Sequence, residues 1–496
     1  MQSKFFSNLL LLLFLNILVK PFWIFGIDRN VQILVGTSVY GTYFTIFNLT
    51  LILNIVLDLG LTNFNNRNIA QNHNLLKKHF SNTLIVKLLL SVAYTIVVFL
   101  VGFFYGLKGH EFILLGAMSF NQFLLSLILY LRSNISGLLL FRVDSLLSVM
   151  DRLLAIAIVG VMLVVPVLRS SFTIVWFVWA QTAAYGLTAF IAFIIVVTKA
   201  GFPKITWNWP FYLMVMRKSL PFAVLVLLMS LYNRLDPLLL GALLPDSIAD
   251  HQTGIYAQAY RLLDTATMIA YLFSVLLLPL FANMLARKVS IQRLVRLSFS
   301  LLFAGSVLVA VATWFFKTEL IELLYPQTAL EGQAVYNEKV SLASTLLGLL
   351  MTGFIAISST YVIGTLLTAD GRLKALNLTA AAGMVLSVLL NCVLIPHYLS
   401  VGSGIASVAT QYITAGVQVY LAYRYFKFKL DFLFLGRLVL YPIILLGLGF
   451  AVRELTYNWL TELSVFIVLG LLSSFLLKLI NIPYLIDLLK GKVEGA

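Results

Sequence analysis

Long runs of uncharged, apolar residues recur from one end of this 496-residue chain to the other. Each reaches the roughly 20 residues that a helix rising about 1.5 Å per residue needs to cross the hydrocarbon core of a bilayer. In lipid a backbone must satisfy its own hydrogen bonds, so runs of this kind are helices. The pattern predicts an all-α polytopic membrane protein. Bounded by charge or turn clusters, about fourteen spans follow from the twenty-residue rule, over approximately 5–27, 40–63, 82–107, 111–133, 145–168, 172–198, 219–244, 253–284, 294–316, 340–367, 373–396, 402–423, 434–452 and 460–482. The first run is too long for a secretory signal and has no small-residue cleavage site before Asp28, so it reads as a membrane helix.

Loop charge gives an independent check, because short cytoplasmic loops collect Lys and Arg. Alternate loops separate sharply: one set holds Arg67, Lys77 and Lys78, then Arg132 and Arg142, then Lys199, Lys204, Arg217 and Lys218, and so on to Arg437. The other set carries acids such as Asp246, Asp250, Glu319, Glu331 and Glu454. A miscounted span would scramble that alternation, so an even number of spans with both termini cytoplasmic is predicted. The same loops account for the net charge of +15, and cations scattered between apolar runs make no nucleic-acid face.

Cys392 is the only cysteine, so no intramolecular disulfide and no thiolate cluster is expected. The histidines at 73, 79, 110, 251 and 397 read as loop residues at no metal spacing, which predicts no metal or catalytic centre. No connection is long enough to form a domain, although Trp207, Trp209 and Phe211 suit a headgroup-level belt. Function is therefore sought inside the bundle or at its rim.

The halves echo each other weakly. GTYFTIFNLTLIL begins at Gly41 and GIYAQAYRLLDTA at Gly254, with Tyr43 and Tyr256 matched at the same offset, and that offset carries Lys20 to the residue beside Arg234. Duplication predicts two pseudo-symmetric six-helix lobes, 1–200 and 201–430, followed by two additional helices and a tail over 431–496.

An ionisable group inside a span costs at least about 2.5 kcal/mol at the bilayer centre, so it is expected to face water or a partner. Lys20, Arg234 with Asp236, and Arg261 with Asp264 form such a set. Arg261 and Asp264, three apart, share a helix face and can pair, whereas Arg234 and Asp236, two apart, need partners elsewhere. One reading is a water-filled cavity whose Lys20, Arg234 and Arg261 receive an anionic group such as a pyrophosphate, since guanidinium forks match phosphate oxygens. The other is that these cations only neutralise Asp236 and Asp264; those carboxylates could also bind a coupling H+ or Na+. Asp58 reads as a partner of Arg67 or as a helix-end cap. Asp144, Asp151 and Arg152, with Lys87, read as an inner gate or as an interfacial charge cluster without function. Gly102 and Gly106 form a small-residue pair that would let helices approach, and Pro21, Pro221, Pro279 and Pro442 would bend their helices.

VYGTYFTIFNLTLILNIVLDLGLTNFNNRNIAQ resembles the opening helices of polysaccharide exporters, the O-antigen flippase branch of the multidrug/oligosaccharidyl-lipid/polysaccharide superfamily. NRLDPLLLGALLPDSIADHQTGIYAQAYRLLD is similar to the start of that branch's second lobe. The resemblance implies a V-shaped pair of six-helix lobes around a central cationic cavity. It also implies export of undecaprenyl-pyrophosphate-linked sugar units across the bacterial inner membrane by alternating access, without a cofactor, for lipopolysaccharide-type surface glycans and their polymerase machinery. Lys20, Arg234 and Arg261 map to that cavity. The last two spans look like those of fourteen-helix relatives, including peptidoglycan-precursor flippases, although that branch's arginine-rich first helix is not seen here. A multidrug antiporter of the same fold would want a carboxylate in the first span, where this chain has Lys20. A saccharide polymerase or ligase would want a large outer loop, and none is present.

Overall fold

The computed structural model describes residues 14–62, 65–66, 69, 75–202, 209–328, 331–428, 431–455 and 457–480. Among them there is no strand, and the chain is a multi-pass helical membrane protein. Eleven described helices are long and apolar enough to span, or up to twelve if one bent pair counts as a single span. That set is compatible with fourteen, because one 54-residue helix is two spans joined at a kink and the N-terminal helix is described only from residue 14. Two compact units, Met1–Ala257 and Gln258–Ala496, divide the chain within a helix.

In the first unit, α1 covers residues 14–35, with a π-turn over Trp23–Asp28 just after Pro21. A proline withholds one ladder donor, and a widened turn is one way a helix absorbs the mismatch. The helix does not stop before Asp28, as expected; it continues through Arg29–Val35 and ends at Gly36, whose φ of 85° only glycine adopts without strain. Helix α2 (Thr37–Leu53) runs into a 3-10 turn, Asn54–Leu57, followed by α3 (Leu75–Tyr105), α4 (His110–Gly137), α5 (Phe141–Val164) and α6 (Ile174–Ala200). Helix α5 ends at Val165, which is extended as the residue before Pro166 must be.

Helix α7 (Trp209–Arg234) continues after a 52° bend as Asp236–Leu243. The break falls at Leu235, ahead of Pro237 in the first turn of the second piece, rather than at Pro221. Helix α8 (Asp246–Ala286) starts a full two turns before the expected span and takes Asp246, Asp250 and His251 out of the loop. Its first turns cross α2 backbone to backbone. A Cβ on Gly41 would overlap the Asp250 carbonyl, and one on Gly254 would overlap that of Thr37, so the crossing needs glycine on both sides. Gly102 likewise seats Leu115 of α4, whose Cδ2 would lie 2.7 Å from an added Cβ.

The second unit holds the rest of α8, then α9 (Gln292–Leu324), α10 (Gln333–Ala369), α11 (Leu373–Phe426), α12 (Phe432–Arg453) and α13 (Trp459–Leu476). Helix α11 joins two expected spans through a kink at Leu399, three residues after Pro396, where Gly402 passes the Leu394 carbonyl too closely for a side chain. The expected extra helices, α12 and α13, pack on α9 through Leu308, Phe316, Tyr441, Leu445 and Phe466. Arg453 locks that packing by pairing with Glu319 and Glu462 while lying 4.8 Å from the centre of the Phe316 ring.

Histidines at 79, 110, 251 and 397 lie in helices, which corrects the loop assignment; His73 lies outside the described residues. So do Lys204, Trp207, Arg67 and the tail beyond 480, with the sequence expectations placed on them.

Candidate functional site

Inside the first unit two helices turn polar stripes toward each other. On α5, Asp144, Ser148, Asp151 and Arg152 recur at spacings of three and four and share a face. Helix α1 answers with Asn16, Lys20 and Trp23 at the same spacing. Asn16 Nδ2 donates to Ser148 Oγ at 3.2 Å. Lys20, one turn on, has Arg152, Asp151 and Arg132 as its charged neighbours. The guanidinium of Arg152 lies 5.2 Å from the centre of the Trp23 ring and 5.6 Å from that of Tyr185, and its Nη1 donates to the Tyr185 hydroxyl at 2.9 Å. Stacking of this kind holds a cation in an apolar slab by offering π faces in place of water.

Arg132, at the end of α4, donates from Nε to Asp144 at 2.8 Å, and Asp151 stands 3.8 Å from Arg152 Nε. Three cations thus meet two carboxylates where α1, α4 and α5 come together. A cavity of about 50 Å³ opens beside Arg152, lined also by Tyr43, Asn121, Gln122, Gln181 and Tyr185. That volume suits a water molecule or two rather than a sugar.

Lys87 is 2% exposed and pairs with Asp58 while donating to the Leu57 carbonyl at 3.0 Å and Ser126 Oγ at 2.8 Å. Asp58 also accepts from the Thr62 backbone N–H at 3.3 Å, so it is an ion-pair partner and a cap at once. Lys87 therefore belongs to Asp58 and not to the α5 carboxylates with which a gate was expected. Asp144 answers Arg132 instead.

Arg234 and Asp236 each have a partner on another helix. Arg234 Nη1 donates to buried Asn48 Oδ1 at 3.3 Å, and the Tyr256 hydroxyl donates to Asp236 at 2.7 Å. In the second unit Arg261 and Asp264 pair at 3.8 Å along one helix face. The structure thus brings Lys20 together with Arg152 and Asp151, sets Arg234 against Asn48 of α2, and places Arg261 beside Asp264.

One buried carboxylate has no role in the sequence reading. Asp28 is 1% exposed and accepts from the Tyr40 hydroxyl at 2.9 and 2.8 Å and from Gln32 Nε2 at 3.3 Å. Asp28 and Arg29 look like a boundary, and the expected first span, 5–27, stops there. The buried tyrosine twelve residues on was the available signal. The first helix therefore does carry a carboxylate, contrary to expectation. Among the described residues no three His, Cys, Asp or Glu side chains converge as a metal ion needs.

The sequence matches the profile of a family described as "Polysaccharide biosynthesis protein" over residues 27–285, just over half of the chain. No curated protein matches it. Solved structures share the fold at low identity. One is "Lipid II flippase MurJ, inward closed conformation", with a TM-score of 0.67 and 13% identity over 96% of this chain and 97% of that one. Another is an inward-facing multidrug resistance MATE family transporter of the MOP superfamily, with a TM-score of 0.62 and 14% identity over 82% of this chain and 94% of that one. A third is a MOP superfamily transporter from Pyrococcus furiosus described as having a binding pocket of reverse polarity, with a TM-score of 0.60 and 12% identity over 85% of this chain and 94% of that one.

Proposed function

The chain belongs to the polysaccharide biosynthesis protein family, and from that premise we propose that it is a flippase. Its cargo is an undecaprenyl-pyrophosphate-linked saccharide, carried across the bacterial inner membrane by alternating access with both termini cytoplasmic. The observation that carries this reading is the local excess of cations, Lys20, Arg132 and Arg152, over Asp144 and Asp151 where α1, α4 and α5 come together. An anionic headgroup entering such a bundle exchanges water for guanidinium donors, and Arg152 offers a planar fork already oriented by Trp23 and Tyr185. Arg234 and Arg261 complete the cargo set in this reading. Asp236, Asp264 and Asp58 are the carboxylates open to a coupling H+ or Na+.

Cells lacking the gene test this directly. Complementation with Lys20→Ala, Arg152→Ala, Arg234→Ala or Arg261→Ala should insert protein at normal levels and fail to export surface glycan. Wild-type export by all four removes the cationic site. Purified protein in proteoliposomes should move a polyprenyl-diphosphate saccharide between leaflets and should not hydrolyse or transfer it.

A peptidoglycan-precursor flippase is the second reading, favoured because the lipid II flippase structure matches 96% of this chain, against 82% and 85% for the other two neighbours. It shares the diphosphate chemistry and differs in the saccharide. For a multidrug antiporter, Asp28 supplies the first-helix carboxylate that organic cations would want, but Lys20, Arg132 and Arg152 oppose such cargo.

A further inference from the structure

A second cavity, of about 240 Å³, lies in the first unit where the end of α3, the start of α4 and the start of α8 meet α2. Its chemistry is the reverse of the Arg152 site. Asp250, Asp246 and Glu111 stand around it against a single cation, Lys108. Glu111 accepts from the Lys108 backbone N–H at 2.7 Å, and Asp246 is 3.8 Å from Lys108 Nζ at the exposed rim. Asp250 is partly buried, with Thr42 as its side-chain neighbour. Tyr105 presents its ring here while its hydroxyl donates to the Leu238 carbonyl at 2.9 Å.

Thr45 also lines this cavity, is 7% exposed, and has no hydrogen-bond partner among the described residues. A hydroxyl that lines a cavity without a protein partner can exchange water for a ligand's own hydroxyl. The net negative charge turns away a diphosphate. The three acids are not grouped closely enough to hold a metal ion between them. The lining suits a neutral polyol: carboxylate oxygens accept from adjacent ring hydroxyls, a threonine both donates and accepts, and an aromatic edge can cover the ring. The volume falls below the roughly 300–1,000 Å³ of drug-sized sites, as suits a single sugar ring.

We propose that this cavity is a saccharide subsite that takes one sugar ring of the cargo through its vicinal hydroxyls. The proposal rests on the flippase reading and adds to it a place where the glycan is held apart from its diphosphate.

Saturation-transfer NMR on the purified full-length protein, with free glucose, galactose, N-acetylglucosamine and rhamnose as probes, tests it. At least one sugar should receive saturation from the wild type and from Cys392→Ser. Thr45→Val and Asp250→Asn, checked for wild-type melting temperature, should lose the signal fivefold or more, and Thr45→Ser should restore it. No signal in the wild type, or equal signal in Thr45→Val and Asp250→Asn, overturns the subsite. So does an Asp250-dependent thermal shift on replacing choline chloride by sodium chloride without any sugar signal. Proteoliposome flipping separates the two ideas. Wild-type flipping with Thr45→Val at the same rate ends the subsite and leaves the transporter, whereas no flipping by the wild type ends both.

Discussion

Gly41 and Gly254 lie against each other, and a Cβ on Gly41 would stand 2.9 Å from the Gly254 backbone nitrogen. The pair is also the pair matched by sequence offset, and each glycine meets the carbonyl four residues before the other, of Asp250 and of Thr37. The crossing is therefore a local two-fold: one contact made twice.

Alanine at either position overpacks the crossing, which costs about 1–3 kcal/mol in a close-packed interior. Because both side chains would wedge the same backbones apart, the double substitution should cost little more than the worse single one. Thermal unfolding of the three purified variants checks this; additive losses would mean two independent contacts.

Arg152→Ala removes a hydrogen bond to Tyr185 and a stacked cation on Trp23. Hydrogen bonds to charged groups are worth about 1.5–3 kcal/mol, so export should fall tenfold or more. Arg152→Lys keeps the charge without the planar fork and should rescue only partly. Full rescue, measured as surface glycan per inserted protein, would reduce the site to a point charge.

Asp58 and Lys87 form a pair in which Lys87 is almost wholly buried. Removing one member leaves the other uncompensated, at roughly 3–5 kcal/mol, whereas removing both need cost little. Asp58→Asn and Lys87→Met should each lower the melting temperature strongly, and the double variant should recover most of the loss. A double variant as unstable as the sum of the singles would contradict the pairing.

Asp431 caps α12 by accepting from the backbone N–H groups of Leu433 and Phe434 at 3.0 and 3.1 Å, and pairs with Arg296 at 2.7 Å. The Phe434 N–H, then the Arg296 guanidinium, hold its carboxyl below the usual carboxylate range. A depressed folded value means that the stabilisation is complete above the unfolded value and fades as pH falls through the folded one. Asp431→Ala should therefore melt below the wild type at pH 7, with the gap closing toward pH 3. A gap that persists in acid would assign the effect to packing.

Much of this was legible in the sequence because membrane burial writes long signals. The apolar runs placed the spans, and the spacing of Arg261 and Asp264 foretold their pairing. What was not legible depends on which helices touch. Charge at Asp28 and Arg29 imitates a helix end, and only the hydroxyl of Tyr40 reveals a buried acid. Lys87 could have answered any nearby carboxylate, and the turn at Leu59 and Gly60 is what presents Asp58. The role of Arg152 follows from Trp23 and Tyr185, which lie 129 and 33 residues away along the chain and leave no periodic trace.

The π-turn at Trp23–Asp28 has a consequence for tolerance of length change. Deleting one residue from a regular helix swings everything beyond it by about 100°. A wide turn already carries a surplus residue, so loss of Gly26 would let the ladder close into ordinary α geometry with Asp28 still meeting Tyr40. A chain shortened there should still insert and export, whereas the same excision at Leu125 in the middle of α4 should abolish both. The N-terminal helix thus holds slack, a reserve of rotation that its neighbours lack.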